Sequence, residues 1–299
     1  MLTSTLDKIG IVRLLLNKIS SYFELIKFRL SFLVAFSSGF GYMLAGYLNF
    51  EWTTFIMFCL GAILMSGSAI TINQILEKDY DKLMKRTRNR PLPTERISVS
   101  EAWIFAGSLL IISSFILVIY TNELTFILSV ISFILYSFVY TPLKRVGPIA
   151  VFVGAIPGAL PPLLGWVAFT GTISYEALII FGIQFIWQFP HFWAIAWLAD
   201  EDYKKAGFKL LPGKGEKDFK TAVNIMIYTL FLLPFGLLPA KFGLTGINSA
   251  IIATVCGVLF LTQTFKLMRD NSRAAALRIM YSSFLYLPIV QIAYLMDKV

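Results

Sequence analysis

Nine stretches of about twenty apolar residues recur along this chain of 299. Each is long enough to cross about 30 Å of hydrocarbon, and no water there can satisfy an exposed peptide group. Runs of this length and uniformity read as helices, at roughly 30–48, 53–76, 101–120, 124–142, 148–169, 175–199, 221–240, 246–265 and 279–296. Hydrophobic residues make up 57% of the chain and charged residues 14%, too few to solvate the surface of a water-soluble protein of this size. The expected fold is therefore all-α: a polytopic membrane protein of nine transmembrane helices. No linker or low-complexity block interrupts the spans. A lead-in over residues 1–21 should precede a single transmembrane domain over 22–299.

The charges predict the orientation. Of 26 Lys and Arg, 24 lie in the N-terminal tail or after spans two, four, six and eight, and the opposite side holds only Lys241 and Lys298. Basic residues concentrate on the cytoplasmic side, so the N-terminus should be cytoplasmic and the C-terminus outside, as for a multi-pass protein of a bacterial cytoplasmic (inner) membrane. This bias also accounts for the net charge of +9, so the expected surroundings are a lipid bilayer and nucleic acid is not an expected partner. The tail carries Lys8, Arg13 and Lys18 with no long apolar core or cleavage site, and reads as an amphipathic lead-in. Cys59 and Cys256 fall inside spans without metal-ligand spacing and read as small packing residues.

Outer connections are short, whereas two inner ones, 77–100 and 200–220, are long and rich in both acids and bases. Their placement after spans two and six is compatible with two four-helix halves and an added ninth helix. The first begins with Asn73, Glu77 and Asp81, spaced four apart. At about 100° per residue these lie within an arc of about 80°, stacked on one face. Two carboxylates and an amide so arranged suit a hard divalent cation that keeps its waters and meets a phosphorylated substrate. Arg86, Arg88 and Arg90 follow, and guanidinium pairs well with phosphate oxygens. Asp79 is about 240° around from Asn73 and should point away. An ordinary solvated helix end is the competing reading, weakened by the cost of an asparagine in the last apolar turn.

The other signals are individually weaker. Asp200, Glu201 and Asp202 follow span six and form either a second cation site or a hydrated loop of mixed charge. Tyr140, Lys144 and Arg145, in YTPLKR, fit either donors to a leaving diphosphate or an interfacial anchor. His191, the only histidine, lies within span six beside Gln188 in WQFPHFW, where it could bind a metal, bind a polar substrate, move a proton, or simply pack as a neutral ring. GAIPGALPPLLGW, 154–166, has prolines that free carbonyls and glycines that allow close approach, as in a cavity wall or a kinked packing helix.

These ordered motifs resemble the UbiA superfamily of intramembrane prenyltransferases, and within it the subfamily that farnesylates protoheme IX. The most specific piece is NQ…E-x-D-x-D-x-x-M-x-R-T-x-x-R-P-L over Asn73–Leu92; YTPLKR, GAIPGALPPLLGW, WQFPHFW and the Asp202–Pro212 segment add to it, and the likeness covers about residues 22–296. The resemblance implies a bundle around a cavity, with Mg²⁺ joining acid motifs at its mouth to an allylic diphosphate. By position, Asn73, Glu77 and Asp81 would form the first metal site and Asp202, with Asp200 less firmly, the second. Arg86, Arg90, Lys144 and Arg145, joined by Tyr140, would contact the diphosphate. Gln188 and His191 would face the heme or other acceptor. Two departures stand out. The D-x3-D of the second motif is missing, since Ala196, Leu198, Lys204 and Ala206 occupy the positions four away from Asp200 and Asp202, and Lys209 stands where relatives carry proline.

The implied reaction transfers the farnesyl group of farnesyl diphosphate to a vinyl carbon of protoheme IX, giving heme O. Aromatic faces such as Trp187, Phe189, Phe192 and Trp193 would shelter the allylic cation. Heme A synthase or terminal-oxidase assembly factors would be the protein partners. Two alternatives stay open at this level: a related enzyme acting on a quinone precursor or another ring, and a membrane transporter with a broken fifth helix.

Overall fold

The structure is a computed structural model that describes residues 16–46 and 50–299. Among these residues nine helices are long and apolar enough to cross a membrane: α1 Phe28–Ala45, α2 Trp52–Leu76, α3 Val99–Tyr120, α4 Glu123–Leu143, α5 Ile149–Thr170, α6 Tyr175–Leu198, α7 Phe219–Lys241, α8 Ile247–Asp270 and α9 Arg273–Met296. The expected all-α, nine-span architecture is borne out. The largest shift is at α9, which starts six residues before its apolar stretch. Ser272 caps it by accepting the Ala275 N–H, and the alanine-rich first turns carry the helix past Arg273 and Arg278 before the apolar run begins. Residues 1–15 of the expected lead-in lie outside the described residues. Residues 16–25 are helical and dock on the start of α3, where Glu101 accepts hydrogen bonds from Lys18 and from the Tyr22 hydroxyl.

Helices pack on their chain neighbours, and the bundle closes through α1 on α5, α6 on α9 and α1 on α9. The α1–α5 crossing is so close that backbones meet. A methyl group on Gly41 would sit 1.9 Å from the Pro162 carbonyl oxygen, and one on Gly165 would sit 1.8 Å from that of Ser38. Helix α5 is the most buried span and α3 the least, which leaves α3 to face lipid. Three prolines run through α5 without ending it. Pro162 has no N–H to give the Gly158 carbonyl four residues back, and that oxygen instead accepts Gln184 Nε2 and Gln188 Nε2, both at 2.8 Å.

Two polar loops lie at the same end of the bundle, after α2 and α6. Each begins in the same way, with one residue breaking the helix (Glu77 at φ −103°, ψ 5°; Ala199 at φ −100°, ψ 8°) and a six-residue helix after it, Lys78–Leu83 or Asp200–Lys205. This local parallel agrees with a two-half organisation. The loops pack together through Met84, Ala206 and Phe208, with Tyr80 and Tyr203 against them. Within α4, Leu135–Tyr140 adopts a wide π-helical turn before the helix continues through Pro142 to its end.

Candidate active site

Under these loops lies a cavity of about 460 Å³, within the range of small-molecule sites. Its mouth carries the ladder. Although the helix breaks at Glu77, the Glu77 N–H still donates to Asn73 O and the Asp81 N–H to Glu77 O, so the four-residue spacing survives and all three side chains line the cavity. All three are buried. Asp79 points away as expected, its carboxylate 86% exposed and 3.4 Å from Lys82.

Each carboxylate has its own cation. Arg90 Nη1 donates to Asp81 Oδ2 at 2.7 Å, and Lys144 Nζ lies 2.9 Å from Glu77 Oε1. Burial pushes the Asp81 carboxyl above the usual range, with Arg90 only partly opposing it. Burial works to lower the Lys144 ammonium, but Glu77 together with Tyr136 and Tyr203 holds it above the ordinary lysine value. Lys144 sits 4.6 Å above the Tyr140 ring, and Tyr140 lines the cavity wall below it. Asn73 Nδ2 donates to Thr141 Oγ1 at 2.9 Å, which ties the ladder to the same turn.

Lys27, absent from the sequence-derived set, also lines the mouth. It stands immediately before α1 with its backbone in the left-handed region, φ 45°, a strained position for lysine. Burial first, then the neighbouring Arg90 and Lys144 charges, lower its ammonium to about 7. The signal was in the sequence: Lys27, Leu30, Val34 and Ser37 repeat at helical spacing, and all four line the cavity. Ser37, Gln184 and Gln291 were missed as well. Deep in the cavity Ser37 Oγ donates to Gln184 Oε1 at 2.8 Å, and Gln291 Nε2 donates to both. Intramembrane amides are costly, and their presence in spans six and nine was the available clue.

Arg86 and Arg90, Tyr140, Lys144, Gln188 and His191 thus share one cavity with Asn73, Glu77 and Asp81. Asp200, Asp202 and Arg145 do not line it. Asp200 is buried between Lys204 at 2.9 Å and Lys217 at 3.6 Å. Asp202 Oδ2 accepts the Arg86 N–H at 3.2 Å; burial raises this carboxyl, but that donor, the Lys85 N–H and the Lys205 and Arg86 charges together hold it below its usual value. Arg145 stacks over Tyr80 and donates to its hydroxyl at 2.9 Å. Asp202 and Arg145 thus tie their segments to the first polar loop, whereas Asp200 is held by lysines of its own loop. Lys209 is exposed. Of the aromatic candidates, Trp187 and Phe192 line the cavity, whereas Phe189 and Trp193 pack on Tyr228 of α7.

A divalent cation fits the mouth. Asp81 Oδ1 is buried with no hydrogen-bond partner, and Glu77 Oε1 meets Lys144 at close range but out of hydrogen-bond alignment. No three His, Cys, Asp or Glu side chains come together among the described residues. So sparse a set of oxygen ligands suits Mg²⁺, which keeps waters and takes phosphate oxygens from its substrate.

The sequence matches the UbiA prenyltransferase family over residues 33–287. It is 54% identical to the protoheme IX farnesyltransferase of Cytophaga hutchinsonii over 283 residues, covering 95% of this chain and 99% of that one. It is 41% identical to the protoheme IX farnesyltransferase of Christiangramia forsetii, covering 94% of each chain. Among solved structures, a digeranylgeranylglyceryl phosphate synthase superposes with a TM-score of 0.78 at 21% identity, covering 94% of this chain and 98% of that one. A UbiA homolog from Archaeoglobus fulgidus bound to GPP and Mg²⁺ superposes with a TM-score of 0.64 at 20% identity, covering 92% of this chain and 99% of that one. With the ladder, the basic cluster and the intramembrane cavity in one place, these likenesses converge: the chain belongs to the UbiA prenyltransferase family.

Proposed function

We propose that this protein transfers the farnesyl group of farnesyl diphosphate to a vinyl carbon of protoheme IX, yielding heme O and diphosphate. The observation that carries the reading is a single cavity with two tiers. Carboxylates and cations occupy its mouth, and apolar and aromatic side chains line most of its depth. Relatives of high identity over nearly the whole chain bear the corresponding name.

Asn73, Glu77 and Asp81 would hold Mg²⁺, whose charge would stabilise the departing diphosphate. Arg86, Arg90, Lys144 and Lys27 would bind diphosphate oxygens, with Lys144 and Arg90 already at the carboxylates. As the carbon–oxygen bond breaks, the pair of electrons leaves with diphosphate and the farnesyl carbon becomes an allylic cation. The faces of Tyr136, Tyr140 and Trp187 suit such a cation, and the apolar lining delays its capture by water. The vinyl group supplies the new carbon–carbon bond. Water then adds to the adjacent carbon and loses a proton, leaving the hydroxyl of the hydroxyethylfarnesyl side chain. The basic mouth would face the cytoplasm of a bacterial cell, by the positive-inside distribution of Lys and Arg.

The test is mass spectrometry of heme after incubating purified protein with protoheme IX, farnesyl diphosphate and Mg²⁺. Farnesylated, hydrated heme should form, vanish with EDTA, and be abolished by Asp81→Ala in protein that still folds. Near-normal product from Asp81→Ala would sink the assignment of the ladder. Unchanged heme from folded wild-type protein would move the reading to another ring acceptor. The clustering of charge at one end, and not at mid-depth, favours an enzyme over a transporter.

A further inference from the structure

His191 is the only histidine in the chain, and its ring is fixed on three sides. It stacks on Trp187 with centroids 4.4 Å apart and planes 16° from parallel, and meets the edge of Phe284 at 5.0 Å. Nδ1 lies 2.8 Å from Ser283 Oγ. That hydroxyl has one proton, and it is directed at the Met280 carbonyl 2.6 Å away, a pure acceptor. The ring must therefore donate in the Nδ1–Oγ contact. Nδ1 carries the proton, and Nε2 keeps a bare lone pair. Nε2 has no hydrogen-bond partner among the described residues and is not sealed off, and the residue lines the cavity. Gln188, one turn earlier, also lines the cavity, with one amide N–H held by Gly158 O.

An imidazole with one nitrogen anchored as a donor and the other bare is the arrangement that metal-bound histidines adopt. His191 is nine residues before Asp200, about 13 Å below the mouth along α6, in the aromatic tier and away from the carboxylate ladder. We propose that His191 Nε2 binds the iron of the acceptor heme as its axial ligand, with Ser283 orienting the ring. This rests on protoheme being the acceptor. Iron is the one metal that this acceptor brings into the aromatic tier, and the planar walls around His191 suit a porphyrin edge. The bond pins the macrocycle at its centre, and so fixes how far its vinyl edge stands from the diphosphate mouth. With a single histidine per chain, bis-histidine ligation by one chain is excluded, and a ferrous five-coordinate centre is expected.

The experiment titrates tag-free protein, with Mg²⁺ and a non-hydrolysable farnesyl diphosphate analogue present, with protoheme and separately with iron-free protoporphyrin IX. Binding and the ferrous absorption and resonance Raman spectra are read. The wild type should give a five-coordinate histidine-type spectrum and bind heme at least tenfold more tightly than the iron-free ring. His191→Ala should lose both properties, and added imidazole should restore the spectrum. Ser283→Ala should keep histidine ligation but bind heme about tenfold more weakly. Where His191→Ala does not fold, His191→Gln replaces it, since its amide can still reach Ser283. An unchanged spectrum in either His191 variant, or equal binding of both porphyrins by the wild type, overturns the axial-ligand proposal and leaves the acceptor reading standing. Wild-type protein that binds the analogue but neither porphyrin overturns the acceptor reading itself.

Discussion

The same substitution, glycine to alanine, should have opposite effects at different helices of this bundle. At Gly41 and Gly165 the new methyl group meets backbone carbonyl oxygens at 1.9 and 1.8 Å, whereas ordinary contact begins at 3.4 Å. No side chain can swing aside, so α1 and α5 must part by about 1.5 Å at their closest point. A gap of 0.5–1 Å already forfeits a quarter to a half of each dispersion contact, and α5 is the most buried span. Overpacking commonly costs about 1–3 kcal/mol, and a backbone-to-backbone clash belongs near about 3. Thermal unfolding in detergent should show Gly165→Ala or Gly41→Ala melting roughly 5–10 °C lower. Turnover should fall too, because Ser38 on α1 and Gly158 and Pro161 on α5 line the cavity. Gly107, within α3, has nothing within 4 Å of an added methyl group. Gly107→Ala should therefore gain about 0.5–1 kcal/mol from helix propensity alone. Equal melting of all three variants, or a loss at Gly107 as large as at Gly165, would refute the close-contact argument.

Arg90→Ala strands the fully buried Asp81 carboxylate, and breaking such a pair should cost about 3–5 kcal/mol of stability at neutral pH. The double variant Arg90→Ala with Asp81→Asn should regain much of it in the same melting assay. Lys27 holds its proton only below about 7, so binding of a farnesyl diphosphate analogue should weaken as pH rises through that value. In Lys27→Met that step should disappear. The unfolded lysine keeps its proton to about 10.4, so the unfolded state binds more protons across that interval and this residue adds stability as pH rises. Pulse proteolysis of wild type and Lys27→Met against pH reads that slope. Glu77→Gln keeps the shape of the ladder but removes one charge, and should lower turnover at least tenfold at limiting Mg²⁺ and less at saturation, measured as heme product.

The spans were legible because hydrocarbon permits few solutions: long apolar runs form helices, and Lys and Arg reveal their alternation. The ladder was legible because 73, 77 and 81 keep their helical phase, and the hydrogen bonds bridging the break at Glu77 preserve it. What the sequence could not display was which polar groups a tertiary crossing brings together. Asp200 and Asp202 look like cation ligands when read linearly, yet the folded chain sets Asp200 between lysines of its own loop and gives Asp202 a backbone N–H of the first loop. Lys27 looked like one more basic residue of a cytoplasmic tail until the left-handed turn before α1 brought it to the mouth. Phe189 and Trp193 share a motif with Trp187, but their helical phase turns them to α7. Gln184 and Gln291, 107 residues apart, meet only because α6 and α9 do.

The pairing of Glu77 with Lys144 and of Asp81 with Arg90 makes the resting mouth behave like a charged ion-exchange resin loaded with its own counterions. A metal–diphosphate complex entering such a mouth would bring cation and anion together, and each would displace a partner of its own sign. Little net charge would then be moved into the bilayer. Diphosphate would leave by the same exchange in reverse, with Lys144 and Arg90 closing again on their carboxylates.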